Sequence, residues 1–167
     1  MKTYRVKSFA KINLALNVTG KLDLLHKIES IFYFISLHDI ITIKQINSLD
    51  HRISYFGKFS KNISRNNTIT NLFKILDQEK LIRNKKFQIK INKNIPQQAG
   101  LGGGSMNAAR ILNFLIKKKY IKINQKKIID ISKLIGSDVI LGVDLKNGIS
   151  NLVDDSENSL DWDVTGA

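Results

Sequence analysis

A glycine-rich segment between a predicted strand and a predicted helix restricts the fold of this chain more than any other feature. Residues 97–105 contain four of the ten glycines and follow the only proline, Pro96. Alternating apolar and polar residues predict a strand over residues 87–92, and Ser105 is expected to cap a helix that runs to about Tyr120. This order of elements can bind an anion, because backbone N–H groups free of Cβ atoms and a helix N-terminus both favour negative charge.

The spacing of the glycines excludes two common nucleotide loops. The segment has no G-x-x-x-x-G-K-[ST] pattern, and it has no G-x-G-x-x-G pattern because Ser105 stands three places after Gly102. The glycines alone leave a second interpretation open, namely a flexible connector or close packing of a helix on a sheet. Pro96 before the loop and the sequence SMNAA at residues 105–109 after it favour the anion-binding interpretation.

The remaining pattern favours a mixed fold. Apolar alternation or β-branched runs predict three further strands, at residues 12–18, 40–46 and 53–59. Residues 28–35 fit a helix or a strand, and residues 139–143 resemble a short apolar strand. Asn67 is expected to cap a helix from Thr68 to Gln78, and Asn124 is expected to cap a later one. Strands early in the chain and two consecutive helices late in it predict an α+β fold.

Composition limits the functions open to the chain. Its 167 residues suit one domain, and the absence of cysteine excludes a disulfide framework, a cysteine zinc site and a cysteine nucleophile. No apolar run approaches the roughly 18 residues of a membrane helix, so we expect a soluble cytoplasmic protein with no membrane partner. The net charge of +13 fits a polyanionic partner, but a sequence rich in Lys, Asn and Ile favours compositional bias as its main source.

Acidic residues gather at the end of the chain. Five of the fourteen Asp and Glu residues lie within residues 154–167, where no helix or strand pattern is visible. We therefore expect one domain over residues 1–153 and an acidic, unstructured tail over residues 154–167.

Four segments, in matching order, resemble the GHMP kinases. The triple-glycine loop at residues 96–109 resembles most closely that of the 4-diphosphocytidyl-2-C-methyl-D-erythritol kinases within this family. Residues 8–14, SFAKINL, are similar to the family's PAKINL segment, and residues 136–139, GSDV, are similar to its GADVP segment. Residues 26–32, HKIESIF, resemble the stretch that contacts the cytidine-bearing substrate in those kinases.

This resemblance implies the α+β N-terminal domain of a GHMP kinase, related to a ribosomal-protein domain, with the second, ferredoxin-like domain missing. The implied reaction transfers a phosphoryl group from ATP, with Mg²⁺, to the 2-hydroxyl of 4-diphosphocytidyl-2-C-methyl-D-erythritol in the non-mevalonate isoprenoid pathway. The implied partner is thus a small molecule with a cytidine diphosphate group. We expect weak or no activity from this chain alone.

The resemblance also assigns site residues by position. It makes Lys11 and Asp138 the catalytic pair, and it places Asn13, His26 and Phe32 against the substrate. It makes a nucleotide loop of Pro96, Gln97, Gln98, Ala99, Gly100, Leu101, Gly102, Gly103, Gly104, Ser105 and Met106. A carboxylate can accept the hydroxyl proton, or act as an electrostatic anchor, while an ammonium keeps it ionised. No metal site built from protein side chains is expected, since Mg²⁺ arrives with ATP.

Other interpretations stay open at this point. Alone, a lysine on a strand is usually solvated, and an aspartate after Gly-Ser is usually a turn residue. Leu25 and Met106 stand where the family has an aromatic residue and a serine. A basic nucleic-acid-binding module is a second function, although no aromatic pair of the RNA-binding type is present. A remnant of another GHMP kinase without catalytic activity is a third.

Overall fold

In the residues that the structure describes, a mixed β-sheet packs against three α-helices. The computed structural model describes residues 2–22, 25–143 and 163–165, and of residues 16–22, 25–30 and 163–165 it describes the backbone alone. The elements follow as β1 (Thr3–Leu22), β2 (Leu25–Ile46), β3 (Arg52–Phe56), α1 (Thr68–Gln78), β4 (Lys86–Asn92), α2 (Gly103–Lys117), α3 (Gln125–Ile135) and β5 (Asp163–Thr165). Across the sheet the strands lie in the order β3-β4-β2-β1-β5.

Strand directions explain the placement of the first helix. β2 pairs antiparallel with β1 and with β4, whereas β3 pairs parallel with β4. Because two parallel neighbours need a crossover, the chain leaves β3, forms α1 and returns as β4. The predicted α+β class is confirmed, and the ambiguous residues 28–35 belong to a strand, β2.

The core lies between the sheet and the helices. Phe87, Ile89 and Ile91 of β4 are fully buried, whereas Lys90 between them is exposed, so β4 turns one face inward. The same cluster includes apolar residues from all three helices, among them Leu72, Leu76, Ile111, Leu112, Phe114 and Ile131. Each fully buried side chain of this size stabilises the fold by about 1.5–3 kcal/mol.

Two of the predicted helix caps are confirmed. The side chain of Asn67 accepts hydrogen bonds from the backbone N–H groups of Ile69 and Thr70, at 3.0 and 3.2 Å. The side chain of Asn124 accepts one from the backbone N–H of Lys127 at 2.9 Å. Each asparagine therefore satisfies N–H groups that a helix start leaves without an acceptor.

The predicted cap of α2 is wrong. The helix begins at Gly103, and its cap is Gly102, which has no side chain to offer. Gly102 has a φ of +67°, a left-handed conformation that glycine adopts readily and that turns the chain into the helix earlier than expected. Ser105 consequently lies within the first turn of α2.

The predicted strand at residues 139–143 is also wrong. Residues Val139–Gly142 form a short 3₁₀ helix instead. A Cβ atom on Gly142 would lie 2.9 Å from Cβ of Ala109 and 3.0 Å from Sδ of Met106. The segment is thus packed tightly on α2, and an apolar run this short does not distinguish a strand from a buried helical turn.

Two features of β1 differ from expectation. Leu14 is 62% exposed rather than buried, because the pairing with β2 shifts between Asn13 and Ala15 and interrupts the alternation. β5 pairs antiparallel with the start of β1, so the expected absence of structure is wrong for its three residues. Unpaired N–H and C=O groups on the edge of β1 make such an addition favourable. The rest of the expected tail, and its boundary at residue 153, lie outside the described residues.

Candidate active site

The glycine loop, residues 96–106, joins the end of β4 to the first turn of α2. Gly100 and Gly102 have φ angles of +72° and +67°, and these left-handed turns direct the loop into the helix. The first helical hydrogen bond runs from the N–H of Met106 to the carbonyl of Gly102, at 2.8 Å. The N–H groups of residues 103–105 therefore have no acceptor within the helix and are available to an anion.

Close contacts explain why glycines occupy the loop. A Cβ atom on Gly103 would lie 3.0 Å from Cγ2 of Ile95 and 3.2 Å from Nζ of Lys93. A Cβ atom on Gly104 would lie 3.2 Å from Oγ1 of Thr68. A Cβ atom at Gly103 or Gly104 would therefore crowd its neighbours. This fits close packing of the loop and helix, and it does not fit a flexible connector.

The loop is also fastened to neighbouring segments. Nε2 of Gln97 donates hydrogen bonds to the carbonyls of Phe59 and Lys61, at 2.8 and 2.7 Å. Oγ1 of Thr68, the first residue of α1, donates to the carbonyl of Gly104 at 2.9 Å. The loop thus keeps a defined shape although residues 97–100 are exposed.

Lys11 connects the loop to the second half of the candidate site. Its backbone N–H donates to the carbonyl of Leu101 at 3.0 Å, and a Cβ atom on Gly102 would lie 2.9 Å from its Cγ. Its Nζ lies 3.1 Å from Oδ2 of Asp138 and donates to Oδ1 of Asn13 at 3.2 Å. Three distant segments of the chain therefore meet at one lysine.

An irregularity in the sheet accompanies this position of Lys11. Phe9 is opposite His38, but the next residue, Ala10, is opposite Ile35, so β2 carries two additional residues at this point. A bulge increases local twist and redirects side chains near it. Lys11 comes directly after the shift, and it is buried although the residue before it is buried as well.

Asp138 lies in the turn between α3 and the 3₁₀ helix. Gly136 ends α3, and Asp138 caps the 3₁₀ helix through its backbone, with its carbonyl accepting from the N–H of Leu141 at 3.2 Å. Its side chain is 41% exposed, whereas that of Lys11 is 5% exposed. A fixed, buried ammonium therefore contacts a carboxylate that remains open to a ligand.

The expected substrate residues are placed unequally. Asn13 contacts Lys11, and Phe32 is opposite Asn13 across the β1–β2 pair, with its ring 5.7 Å from that of Phe34. The backbone of His26 pairs with Lys21, six residues from Phe32 along β2, which is about 20 Å of strand. Asn13 and Phe32 thus lie next to the pair of Lys11 and Asp138. The backbone of His26 does not, and its side chain lies outside the described part of the structure.

Sequence reasoning missed several residues that support the loop: Asp39, Lys93, Asn107 and Thr68. Asp39 is a lone acidic residue in a largely apolar stretch, which is itself a signal, because an ionised side chain is rarely buried without partners. Nothing in the sequence indicates that the partners would be residues near the glycine loop.

The described residues contain neither a cluster of metal-ligating side chains nor a membrane-spanning helix. Within residues 2–22, 25–143 and 163–165, no three His, Cys, Asp or Glu side chains come together in a way that could hold a metal ion. In the same part of the chain, every helix is too short or too polar to cross a membrane.

Comparison with known proteins agrees with this geometry. Residues 67–152 match the family described as the GHMP kinases N terminal domain. Two relatives named 4-diphosphocytidyl-2-C-methyl-D-erythritol kinase are similar in sequence. The protein of Pelagibacter ubique is 61% identical over 86% of this chain and 51% of its own length, and that of Thermosipho melanesiensis is 42% identical over 80% and 46%.

A solved structure is similar as well. The crystal structure of a 4-(cytidine 5′-diphospho)-2C-methyl-D-erythritol kinase superposes with a TM-score of 0.64 at 25% identity, over 83% of this chain and 48% of that one. The chain therefore spans about half the length of the relatives it matches.

Proposed function

Because this chain belongs to the GHMP kinase N-terminal domain family, we propose that it carries the nucleotide-binding part of a small-molecule kinase. The proposed reaction is the ATP-dependent phosphorylation of the 2-hydroxyl of 4-diphosphocytidyl-2-C-methyl-D-erythritol. The names of the similar proteins support this substrate. The structural observation that carries the proposal is the position of Lys11, which contacts the glycine loop through its backbone and Asp138 through its ammonium.

The glycine loop, Pro96 to Met106, fits the phosphate chain of ATP. It has open N–H groups at residues 103–105, no Cβ atoms at the two crowded positions Gly103 and Gly104, and a tether through Gln97. When bound, MgATP supplies the phosphoryl group together with a cation that offsets its charge. The loop orients that group by backbone donors rather than by charged side chains.

Lys11 and Asp138 act on the acceptor alcohol. The exposed carboxylate of Asp138 accepts the proton of the 2-hydroxyl as the new bond forms. The buried ammonium of Lys11 lies 3.1 Å from this carboxylate and holds it in place. Because phosphoryl transfer depends mainly on position and charge, this pair and the loop together supply what the chain must provide.

Asn13 and Phe32 contact the methylerythritol end of the substrate. Both lie on the paired strands beside Lys11, and Asn13 already binds the ammonium. We assign His26 to the cytidine end, farther along the same strands, on the basis of the resemblance at residues 26–32. A separation of this order suits a substrate with a diphosphate between its two ends.

The remaining proposals concern the chain as a whole. We propose weak or no turnover by residues 1–167 alone, because the similar proteins are about twice as long. Ordinary kinase turnover of the cytidylyl substrate by this chain would contradict that. A domain over residues 1–153 and a cytoplasmic location also remain proposals.

Binding of MgATP tests the nucleotide part of this function directly. A ligand that binds only the folded state raises its stability, by about 2.7 kcal/mol at a concentration 100 times its Kd. We expect millimolar MgATP to raise the melting temperature, and Mg²⁺ alone to leave it unchanged. No shift with MgATP would favour the third interpretation, a remnant without catalytic activity. Binding of single-stranded RNA that weakens steeply with salt would favour a nucleic-acid module instead.

A further inference from the structure

A buried carboxylate, that of Asp39, has no part in the chemistry proposed above. The residue belongs to β2 and has 0% of its surface exposed. Its Oδ1 accepts hydrogen bonds from the backbone N–H groups of Asn94 and Ile95, at 2.7 and 2.8 Å. Its Oδ2 accepts from Nδ2 of Asn107 at 2.8 Å and from Nζ of Lys93. Both oxygens are thus satisfied, as burial of a charge requires.

The donors to Asp39 come from the two ends of the glycine loop. Asn94 and Ile95 directly precede the loop, and Asn107 directly follows it. Asn107 lies on α2 and is itself 1% exposed. One side chain therefore joins the residues that enter the loop to the helix in which it ends.

Lys93 balances the charge of Asp39 and borders the loop as well. It is 4% exposed, and its Nζ lies 3.2 Å from the place where a Cβ atom on Gly103 would be. Attraction between opposite charges is strong where water is excluded, so the pair gives Lys93 a fixed position. Lys93 in turn limits the space next to the first residue of α2.

We propose that Asp39 is a positioning residue, which fixes the distance and orientation between the two ends of the glycine loop. This inference rests on the proposed nucleotide-binding function and names what gives the loop its shape before ATP arrives. All four donors are at or next to the loop, whereas the buried interior of the sheet contributes none of them. Asp39 therefore acts on the backbone N–H groups of the loop through its neighbours.

A comparison of two aspartate variants tests this role. Asp39→Asn removes the charge under the loop, and Asp77→Asn is the matched control. Asp77, at the end of α1, also pairs with a lysine, Lys86, at 2.8 Å, but it has no contact with the loop. Two quantities are measured in each variant: the Kd for MgATP by calorimetry, and hydrogen-exchange rates by NMR. The exchange is followed at the amides of Lys11 and Met106, which donate to the loop carbonyls of Leu101 and Gly102, and at the amide of core residue Ile89.

We expect a selective effect of Asp39→Asn. Its Kd for MgATP should rise at least about tenfold, and the amides of Lys11 and Met106 should exchange at least about tenfold faster, beyond any change at Ile89. Asp77→Asn should change the Kd by less than about twofold, even where Ile89 exchanges faster. A variant that loses only global stability would speed the exchange of the loop amides and of the Ile89 amide by a similar factor. A larger acceleration at the loop therefore distinguishes a local effect from a general loss of stability.

Three other outcomes also decide the matter. Wild-type affinity and wild-type loop exchange in Asp39→Asn would overturn the inference. If the unsubstituted chain fails to bind MgATP, the proposed function is wrong, and the exchange rates of the loop still decide the role of Asp39. If Asp39→Asn does not fold, Asn107→Ala takes its place, because it removes only the bond on the helix side. We expect a threefold or greater loss of affinity from Asn107→Ala, and unchanged affinity and exchange would overturn the inference.

Discussion

The ammonium of Lys11 lies 3.1 Å from the carboxylate of Asp138, and only the carboxylate is open to solvent. The lysine comes from β1, whereas the aspartate follows α3, so the fold must be complete before the two meet. Water around Asp138 lowers the contribution of this ion pair to stability. In the proposed function, the pair matters because it orients one exposed carboxylate for the reaction.

Replacement of Asp138 by asparagine should separate chemistry from nucleotide binding. Asp138→Asn keeps the size of the side chain but removes the proton acceptor, and a general base contributes typically 10²–10⁴-fold to a rate. We expect phosphoryl transfer to fall by at least about 100-fold, measured under single-turnover conditions in a kinase completed with the second half of a similar protein. The Kd for MgATP should change by less than about threefold. A parallel loss of MgATP affinity would assign Asp138 to the metal instead.

Obstruction of the glycine loop should have the opposite effect. Gly103→Val would place atoms against Ile95 and Lys93, since a Cβ alone would lie 3.0 and 3.2 Å from them. We expect MgATP affinity to fall at least about tenfold, measured by calorimetry. Gly136→Ala is the control, because its Cβ would meet only ordinary contacts, the nearest at 3.7 Å. Equal affinities in the two variants would place the phosphates elsewhere.

Acid should destabilise the fold through His51. Burial lowers the pKa of this imidazole from its ordinary 6.5. Its Nδ1 accepts a hydrogen bond from the N–H of Phe87 at 3.1 Å, and its ring lies 4.3 Å from that of Phe73. As the pH falls, His51 therefore binds a proton in the unfolded chain before it does so in the folded chain. The stability that neutral His51 contributes is present above pH 6.5 and is lost progressively below it.

Urea unfolding at pH 7.5 and pH 5.5 measures this contribution. His51→Gln keeps a polar side chain without a titration, so its stability should vary less over this range than that of the unsubstituted chain. Identical pH dependence in both proteins would show that other groups are responsible.

Loss of the cap of α1 should cost more than loss of the cap of α3. Asn67 accepts two backbone hydrogen bonds and a third from the hydroxyl of Tyr55 at 2.9 Å, whereas Asn124 accepts one from the backbone of Lys127. Burial raises the pKa of Tyr55 to about 12, so its hydroxyl stays protonated and needs an acceptor. We expect Asn67→Ala to lower the free energy of unfolding by about 1–2 kcal/mol. Asn124→Ala should lower the free energy of unfolding by less. Chemical denaturation measures both values, and the reverse order would contradict the prediction.

Local features of the fold could be predicted from the sequence. The predictions failed where a feature depends on backbone conformation or on contacts with distant residues. Asn67 and Asn124 were predictable caps because the N–H groups they bind lie within three residues. The glycine loop was also predictable from local sequence, because its glycines lie close together in the chain. The start of α2 was not, since it depends on the φ of Gly102 and on the fit of the loop against Lys11.

Long-range contacts of the candidate site could be predicted from the sequence only in part. The resemblance to known kinases named Lys11 and Asp138, and the structure brings them together, although no periodicity relates these two positions. The contacts of Asp39 with Lys93 and Asn107 were not predicted, because three segments meet there in a way that no local pattern encodes. The exposure of Leu14 was missed because alternation alone does not reveal a bulge.

The contact of Gly142 with α2 makes that helix a shared support for the two parts of the proposed site. The first turn of α2 belongs to the proposed nucleotide loop, and Met106 and Ala109 of the same helix lie against Gly142, four residues after Asp138. A methyl group added at Gly142 would push the two segments apart. Under the proposed function, the spacing between phosphate and alcohol thus depends on a glycine that touches neither reactant.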